Sequence, residues 1–163
     1  MFKQDTIPPP APNFSIRQYL EQHPFFAGLP APLLSVVVPA AEEINVEAQC
    51  KVFRQETAAD HFYVVLDGQV AVEVPAVAGE PAQLQTLGPG KLLGWSWLIP
   101  PHRWHFDARA LQPTRLLRLD GQRLREWCRA NPELGYPLLE REASLMMERL
   151  REARLRVMEA HVG

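Results

Sequence analysis

Apolar and polar positions change rhythm three times along the chain. Up to about residue 41, Phe14, Tyr19, Leu20, Phe25, Phe26, Leu29, Leu33 and Leu34 come in small groups cut by Pro24, Pro30 and Pro39. Proline ends or kinks a helix, so this stretch predicts short helices broken at those prolines. A shorter rhythm follows. EINVEA, KVFR, FYVVLD, QVAVEV, AQLQTL, KLLGW, WHFDARAL and TRLLRLD succeed one another, separated by Gly, Pro, Asp or Asn. Many short strands with regular turn signals predict an all-β barrel or sandwich. Within FYVVLDGQVAVEV, Asp67-Gly68 suits a tight two-residue hairpin turn. Beyond it Val70, Val72 and Val74 alternate with Gln69, Ala71 and Glu73, the period of a half-buried strand.

The last third is helical. Asp120 can cap a helix running to about Ala130, and Asn131-Pro132 is a cap followed by proline at the first helical position. Gly135 can close that short turn, after which Pro137 opens a final helix. Along it Leu139, Ala143, Met146, Leu150, Ala153, Val157 and Ala160 recur at alternating spacings of four and three. That heptad seam predicts a dimerisation helix over 136–163. Leu138 and Leu145 form a second line that packs back on the chain's own barrel. Five Arg (141, 149, 151, 154, 156) balance five Glu (140, 142, 148, 152, 159) on this helix, which predicts a solvated, ion-paired surface rather than a DNA-reading one.

Composition narrows the class. The 163 residues are 47% hydrophobic and 22% charged, suited to one globular domain. A net charge of −2 offers no overall pull on nucleic acid or anionic membrane. Cys50 and Cys128 stand alone, so neither a disulfide scaffold nor a cysteine zinc site is expected; both read as small buried apolar residues in a reducing cytoplasm. Residues 1–13 read as a flexible, Pro-rich tail without signal-peptide character. The longest apolar run, LLSVVVPAA, is too short to span a bilayer.

Chemistry concentrates in GWSWLIPPHRWHFDARA, residues 94–110, which holds three of the four tryptophans. Trp95, Trp97 and Trp104 read either as an aromatic box for a planar or cationic ligand or as core. His102 and His105 have HxxH spacing, without a nearby cysteine, and carry only a weak metal signal; no metal and no cofactor is expected. His61 reads as exposed. Between Pro101 and Arg129, seven Arg face three acids, read as solvated strand and helix faces. No glycine-rich nucleotide loop, nucleophile elbow or carboxylate pair stands out, so no enzyme is expected.

In this order, HPFFAGLP, ETAADHFYVVLDGQVAV, LGPGKLLGWSWL, FDARAL and the final helix make the chain resemble the cyclic nucleotide-binding domain family. The likeness is to the sensor half of bacterial catabolite-activator-type regulators and runs from about Ser15 to the end. It implies a mainly β fold with flanking helices: a β-roll (double-stranded β-helix) over 14–135, then the long dimerisation helix. The family's phosphate cassette places Gly-Glu before a short helix, then Arg and small residues. Helix N–H groups and the Arg hold the phosphate, and the Glu accepts from the ribose. Laid on that spacing without gaps, Gly94 keeps the glycine and Ser96 lies within the short helix. Trp95 replaces the Glu, Trp104 replaces the Arg, and His105 takes the next small position. A buried phosphate without its cation costs ~3–5 kcal/mol and the lost Glu bonds ~1–3 more, roughly a thousandfold to a millionfold in affinity. Arg103 sits beside the vacated Arg position but faces away on a regular strand. Arg109 has three roles open to it: facing solvent, pairing with Asp107, or serving a ligand.

These readings converge on a stand-alone, cytoplasmic, dimeric regulatory or sensor module. It answers a non-standard small-molecule effector or a protein partner rather than cyclic AMP held in the usual way. In the family a helix-turn-helix follows the dimer helix, and this chain ends at Gly163, so no DNA binding by this chain alone is expected. The alternatives are a nucleotide-gated transcription regulator seen without its DNA-binding part and, last, a metal-dependent β-barrel enzyme using His102 and His105.

Overall fold

A computed structural model describes residues 7–163. Residues 1–6 of the expected tail lie outside the described residues. Two short helices, α1 (Ile16–Gln22) and α2 (Ala31–Val37), precede a single 3-10 turn at Val38–Ala40. Each break coincides with a proline. α1 is capped by the Ser15 side chain, which accepts from the Gln18 N–H, and it ends at Gln22, with His23 as its C-cap just before Pro24. α2 starts after Pro30, and Pro39 lies in the 3-10 turn.

Eight strands follow: β1 (Ala41–Val46), β2 (Lys51–Phe53), β3 (His61–Asp67), β4 (Val70–Val74), β5 (Ala82–Leu87), β6 (Leu92–Leu93), β7 (Asp107–Ala110) and β8 (Thr114–Asp120). They form two antiparallel sheets, ordered β1-β8-β3-β6 and β2-β7-β4-β5. This is the β-roll with flanking helices. The hairpin expected at Asp67-Gly68 is not one. β3 pairs with β8 and β6, whereas β4 pairs with β7 and β5, so the turn is a corner passing from one sheet to the other. Gly68 is required there for another reason. Its φ is +103°, and a Cβ would lie 2.4 Å from the Thr114 hydroxyl. Nor is β4 half-buried, since Ala71 and Glu73 are buried as fully as Val70.

Alternation along β3 and β8 divides the interior into two cores. Phe62, Val64, Leu66, Leu117 and Leu119 point to the helices and meet Leu20, Phe26, Leu33, Trp97, Leu124, Leu138 and Leu145. Tyr63, Val65 and Leu116 point into the roll and meet Phe53, Val70, Val72, Leu87, Leu93 and Trp104. The sheet of β1, β8, β3 and β6 is therefore covered on both faces, which explains the near-continuous apolar run FYVVL.

Two helices close the fold, α3 (Gly121–Ala130) and α4 (Pro132–Val162). Asp120 caps α3, its carboxylate accepting from the Arg123 N–H at 2.9 Å. The expected break before Pro137 does not occur, and α4 runs unbroken for 31 residues. Gly135 serves packing instead of termination: a Cβ there would lie 2.7 Å from the Cys128 Cβ, so the glycine lets α3 and α4 touch. Pro137 forfeits one backbone hydrogen bond inside the helix. Leu138, Glu142, Leu145 and Arg149 are buried along α4, while all seven residues of the heptad seam are exposed. Cys50, expected buried, is exposed between β1 and β2. No described helix is long and apolar enough to cross a membrane.

Candidate functional site

The stretch from Gly94 to Arg109 spans both cores, and its three tryptophans do not converge into a box. Trp97 enters the helical core and stacks on Phe62 with ring centroids 4.5 Å apart. Its indole N–H donates to Glu142 Oε1 at 3.0 Å, and its carbonyl accepts from the Arg125 guanidinium. Trp104 enters the roll, stacked nearly parallel on Phe53 at 3.7 Å. Its ring lies directly over Gly94, where a Cβ would come within 2.5 Å of the indole. Gly94, with φ +99°, therefore makes room for a side chain and not for a bound molecule. Trp95 stays half-buried at the rim, edge to face with Phe106 at 6.4 Å. What remains enclosed between these rings, Ser96, Gln85 and Arg149 is a cavity of about 30 Å³.

The resemblance implied a short helix after Gly94. Residues 96–98 instead form a turn, closed by the Leu98 N–H donating to the Trp95 carbonyl at 3.1 Å. Ser96 is buried beside the turn. A helix N-terminus, with its array of free N–H groups for a phosphate, is absent from this segment.

The two arginines point elsewhere. Arg103 is exposed, pairs through its backbone with Ala58, and donates to the Glu56 carbonyl at 2.7 Å. Arg109 takes a partner that the sequence reading did not consider. It grips Glu73 through Nε and Nη2, both at 3.0 Å, while Asp107 pairs with Lys51 Nζ at 2.5 Å. Lys51 also reaches Glu73 at 3.1 Å, joining the four side chains into one network. The Arg109 guanidinium holds the buried Glu73 carboxyl below its usual range despite the cost of burial.

The histidines are dispersed. His105 is exposed, and His102 is half-buried in a left-handed turn at φ +56°, its Nε2 buried without a partner among the described residues. Three or more metal-ligating side chains do not gather anywhere among the described residues. His61 is half-buried at the start of β3, beside Arg118, Asp120 and Arg123. A different histidine is structural. His23 Nδ1 accepts from the Phe25 N–H at 3.1 Å, so Nε2 carries the proton and donates to the Gly90 carbonyl at 2.8 Å. Burial pulls its pKa down to about 4.

Glu142 and Arg149 escaped the sequence reading, which counted them among the balanced surface charges of the last helix. The available signal was their position: they fall on the same line as Leu138 and Leu145, which was expected to face the barrel. Burial pushes the Glu142 pKa up to about 8. Arg149 donates to Gln85 Oε1 and to the Leu92 carbonyl, each at 2.9 Å, and lines the cavity beneath Trp95.

Comparison with known proteins places this geometry. The family model of the cyclic nucleotide-binding domain matches residues 43–131. A protein of Geobacter metallireducens GS-15, described as cyclic nucleotide-binding, shares 28% identity over 82% of this chain and 97% of its own, with a TM-score of 0.74. The Catabolite Activator Protein of Thermus thermophilus shares 25% identity, TM-score 0.64, over 84% of this chain and 62% of its own. The sensor domain of the transcriptional regulator DNR of Pseudomonas aeruginosa has the same fold, with TM-score 0.66 and 21% identity over 83% of this chain and 91% of its own. No curated protein sequence matches.

Proposed function

The chain belongs to the cyclic nucleotide-binding domain family, and from that premise we propose that it is a cytoplasmic, dimeric regulatory module whose cassette no longer takes a cyclic nucleotide in the usual way. It works as a binding module without catalysis, answering a non-standard effector or a protein partner. One observation carries the reading: Trp104, stacked on Phe53 and laid over Gly94, fills the volume that a nucleotide needs and leaves about 30 Å³. The committed pairing of Arg109 with Glu73 supports it, because no arginine of the cassette is left facing inward.

Dimerisation rests on α4. Leu139, Met146, Leu150 and Val157 are 43%, 36%, 52% and 59% exposed along one stripe, and Tyr136, 58% exposed, continues it by one position. A stripe of this length is a protein-contact surface. The opposite face of the same helix enters the helical core beside Trp97, so a change at the cassette has a direct route to the seam, a two-state shift in helix packing.

The test is calorimetric titration with cyclic AMP and cyclic GMP into the millimolar range, followed in parallel by tryptophan fluorescence. No heat and no quenching are expected, and saturable micromolar binding would sink the reading. For the seam, Leu150→Glu should convert a dimer into a monomer in sedimentation equilibrium; an unchanged mass would remove dimerisation through α4. A second reading, a regulator whose DNA-binding part lies outside this chain, is favoured by the likeness to the Thermus activator, of which the chain spans 62%. The intact mass of the native protein separates the two.

A further inference from the structure

A recess of about 320 Å³ lies outside the roll, where the turn at 96–98 meets the elbow of α3 and α4. That volume is in the range of small-molecule sites. Leu98 comes from the turn, Cys128 from α3, and Leu138 and Leu139 from α4, so the wall is largely apolar. Gly135 adds no side chain where the two helices touch. The charged groups are of one sign. Arg125 and Arg129, one turn apart on the same face of α3, both line the recess, and no carboxylate does. Arg125 is committed to the Trp97 carbonyl. Arg129 is exposed and makes no hydrogen bond or ion pair among the described residues. Nearby His102 is pushed below its ordinary pKa by burial first and then by the charges of Arg125 and Arg129, so it stands there as a neutral ring.

An apolar recess with an uncommitted guanidinium selects an amphipathic anion. The body takes apolar wall out of water, and the head pairs with the cation. Tyr136 is the one aromatic side chain in the lining, so a flexible saturated chain suits the wall better than a flat ring. Resting on the reading that the module answers a non-standard effector, we infer that this elbow binds a medium-chain aliphatic monocarboxylate. Its carboxylate sits on Arg129 and its chain against Leu98, Cys128 and Leu138. Tyr136 and Leu139 belong both to this wall and to the exposed stripe of α4. The ligand therefore touches the helix face through which we propose the chain to pair.

The full chain is titrated by calorimetry with sodium octanoate and with octanamide, its neutral isostere. Leu150→Glu, a substitution outside the recess, is titrated alongside, so that no second copy covers Tyr136 and Leu139. Saturable octanoate binding is expected, about tenfold tighter than octanamide, the factor of one charge-assisted hydrogen bond. Shortening the chain to hexanoate should weaken binding roughly tenfold, through the loss of apolar contact. Arg129→Gln, on an exposed side chain with no bond to lose, should abolish the preference over octanamide and leave the melting temperature unchanged. The thiols report location: octanoate should slow alkylation of Cys128, followed by mass spectrometry, and leave exposed Cys50 at its own rate. No saturation in either protein, equal affinity for octanoate and octanamide, or an unprotected Cys128 would overturn the site. Cyclic AMP is titrated in the same series and tests the cassette separately. Its binding at micromolar concentration strikes the filled cassette and not this site; missing octanoate binding strikes this site and not the filled cassette.

Discussion

The two cores are each closed by a tryptophan from the same short segment, and they use it differently. In the helical core Trp97 is wholly buried and its N–H is spent on Glu142, a carboxyl set into the middle of α4. In the roll, Trp104 packs by its faces, on Phe53 and over Gly94, among apolar neighbours. One core is therefore a specified joint, where a polar group fixes which helix meets which loop; the other is a filler occupying space. Burying Glu142 has a cost, since its Oε2 has no partner among the described residues. That cost is tolerated at the place where cassette and seam helix meet. A polar bond fixes the connection, and apolar stacking closes the roll.

The comparison breaks most sharply by truncation. Trp97→Ala should destabilise by ~5 kcal/mol, at the upper end for a buried tryptophan, because it also strands the Glu142 carboxyl; Trp104→Ala should cost nearer ~3 kcal/mol, since Trp95 and Phe106 can settle into the space. Denaturant melts of both variants decide it, and equal losses would erase the distinction between joint and filler.

Next in size is a pH effect at the joint. Glu142 has an unfolded pKa of 4.5 and a folded one of about 8. Its contribution is full below the unfolded pKa and is lost as pH rises through 8, by roughly 5 kcal/mol at most. Glu142→Gln keeps an acceptor for Trp97 and removes the titration. Its stability should therefore overtake that of the wild type between pH 5 and 8.5, and parallel profiles would show that Glu142 does not stay neutral.

A smaller effect of opposite sign sharpens the picture from the acid side. His23 falls from 6.5 unfolded to about 4 folded. The unfolded chain binds the proton first, so stability present above pH 6.5 drains away as pH falls to 4, by roughly 3 kcal/mol. NMR titration of the His23 ring should give a midpoint near 4, with Nε2 protonated above it.

The strands were legible because each carries its own period of apolar residues between turn residues, and all eight stand where that pattern places them. Their partners were not. Asp67-Gly68 has hairpin chemistry, but which strand pairs with which depends on Thr114 and on the far ends of the chain. Pro137 read as a start because the local rule for proline says so; the contact of Gly135 with Cys128, which carries the helix through, is tertiary. At Gly94–Arg109, the aromatic density read from the sequence either as a box or as core, and two of its rings, Trp97 and Trp104, are core. Arg149 did not announce itself, because a charge on a helix looks the same whether it faces water or a cavity.

Cys50 has a practical consequence. It is the exposed one of two thiols, while Cys128 is half-buried with its pKa raised by burial, so it is the less reactive. A spin label or fluorophore therefore goes to a single position, on the turn between β1 and β2. On the proposed dimer, two such labels would make a ruler across the assembly, and any motion of one roll against the other would become a change in its reading, with no mutation made.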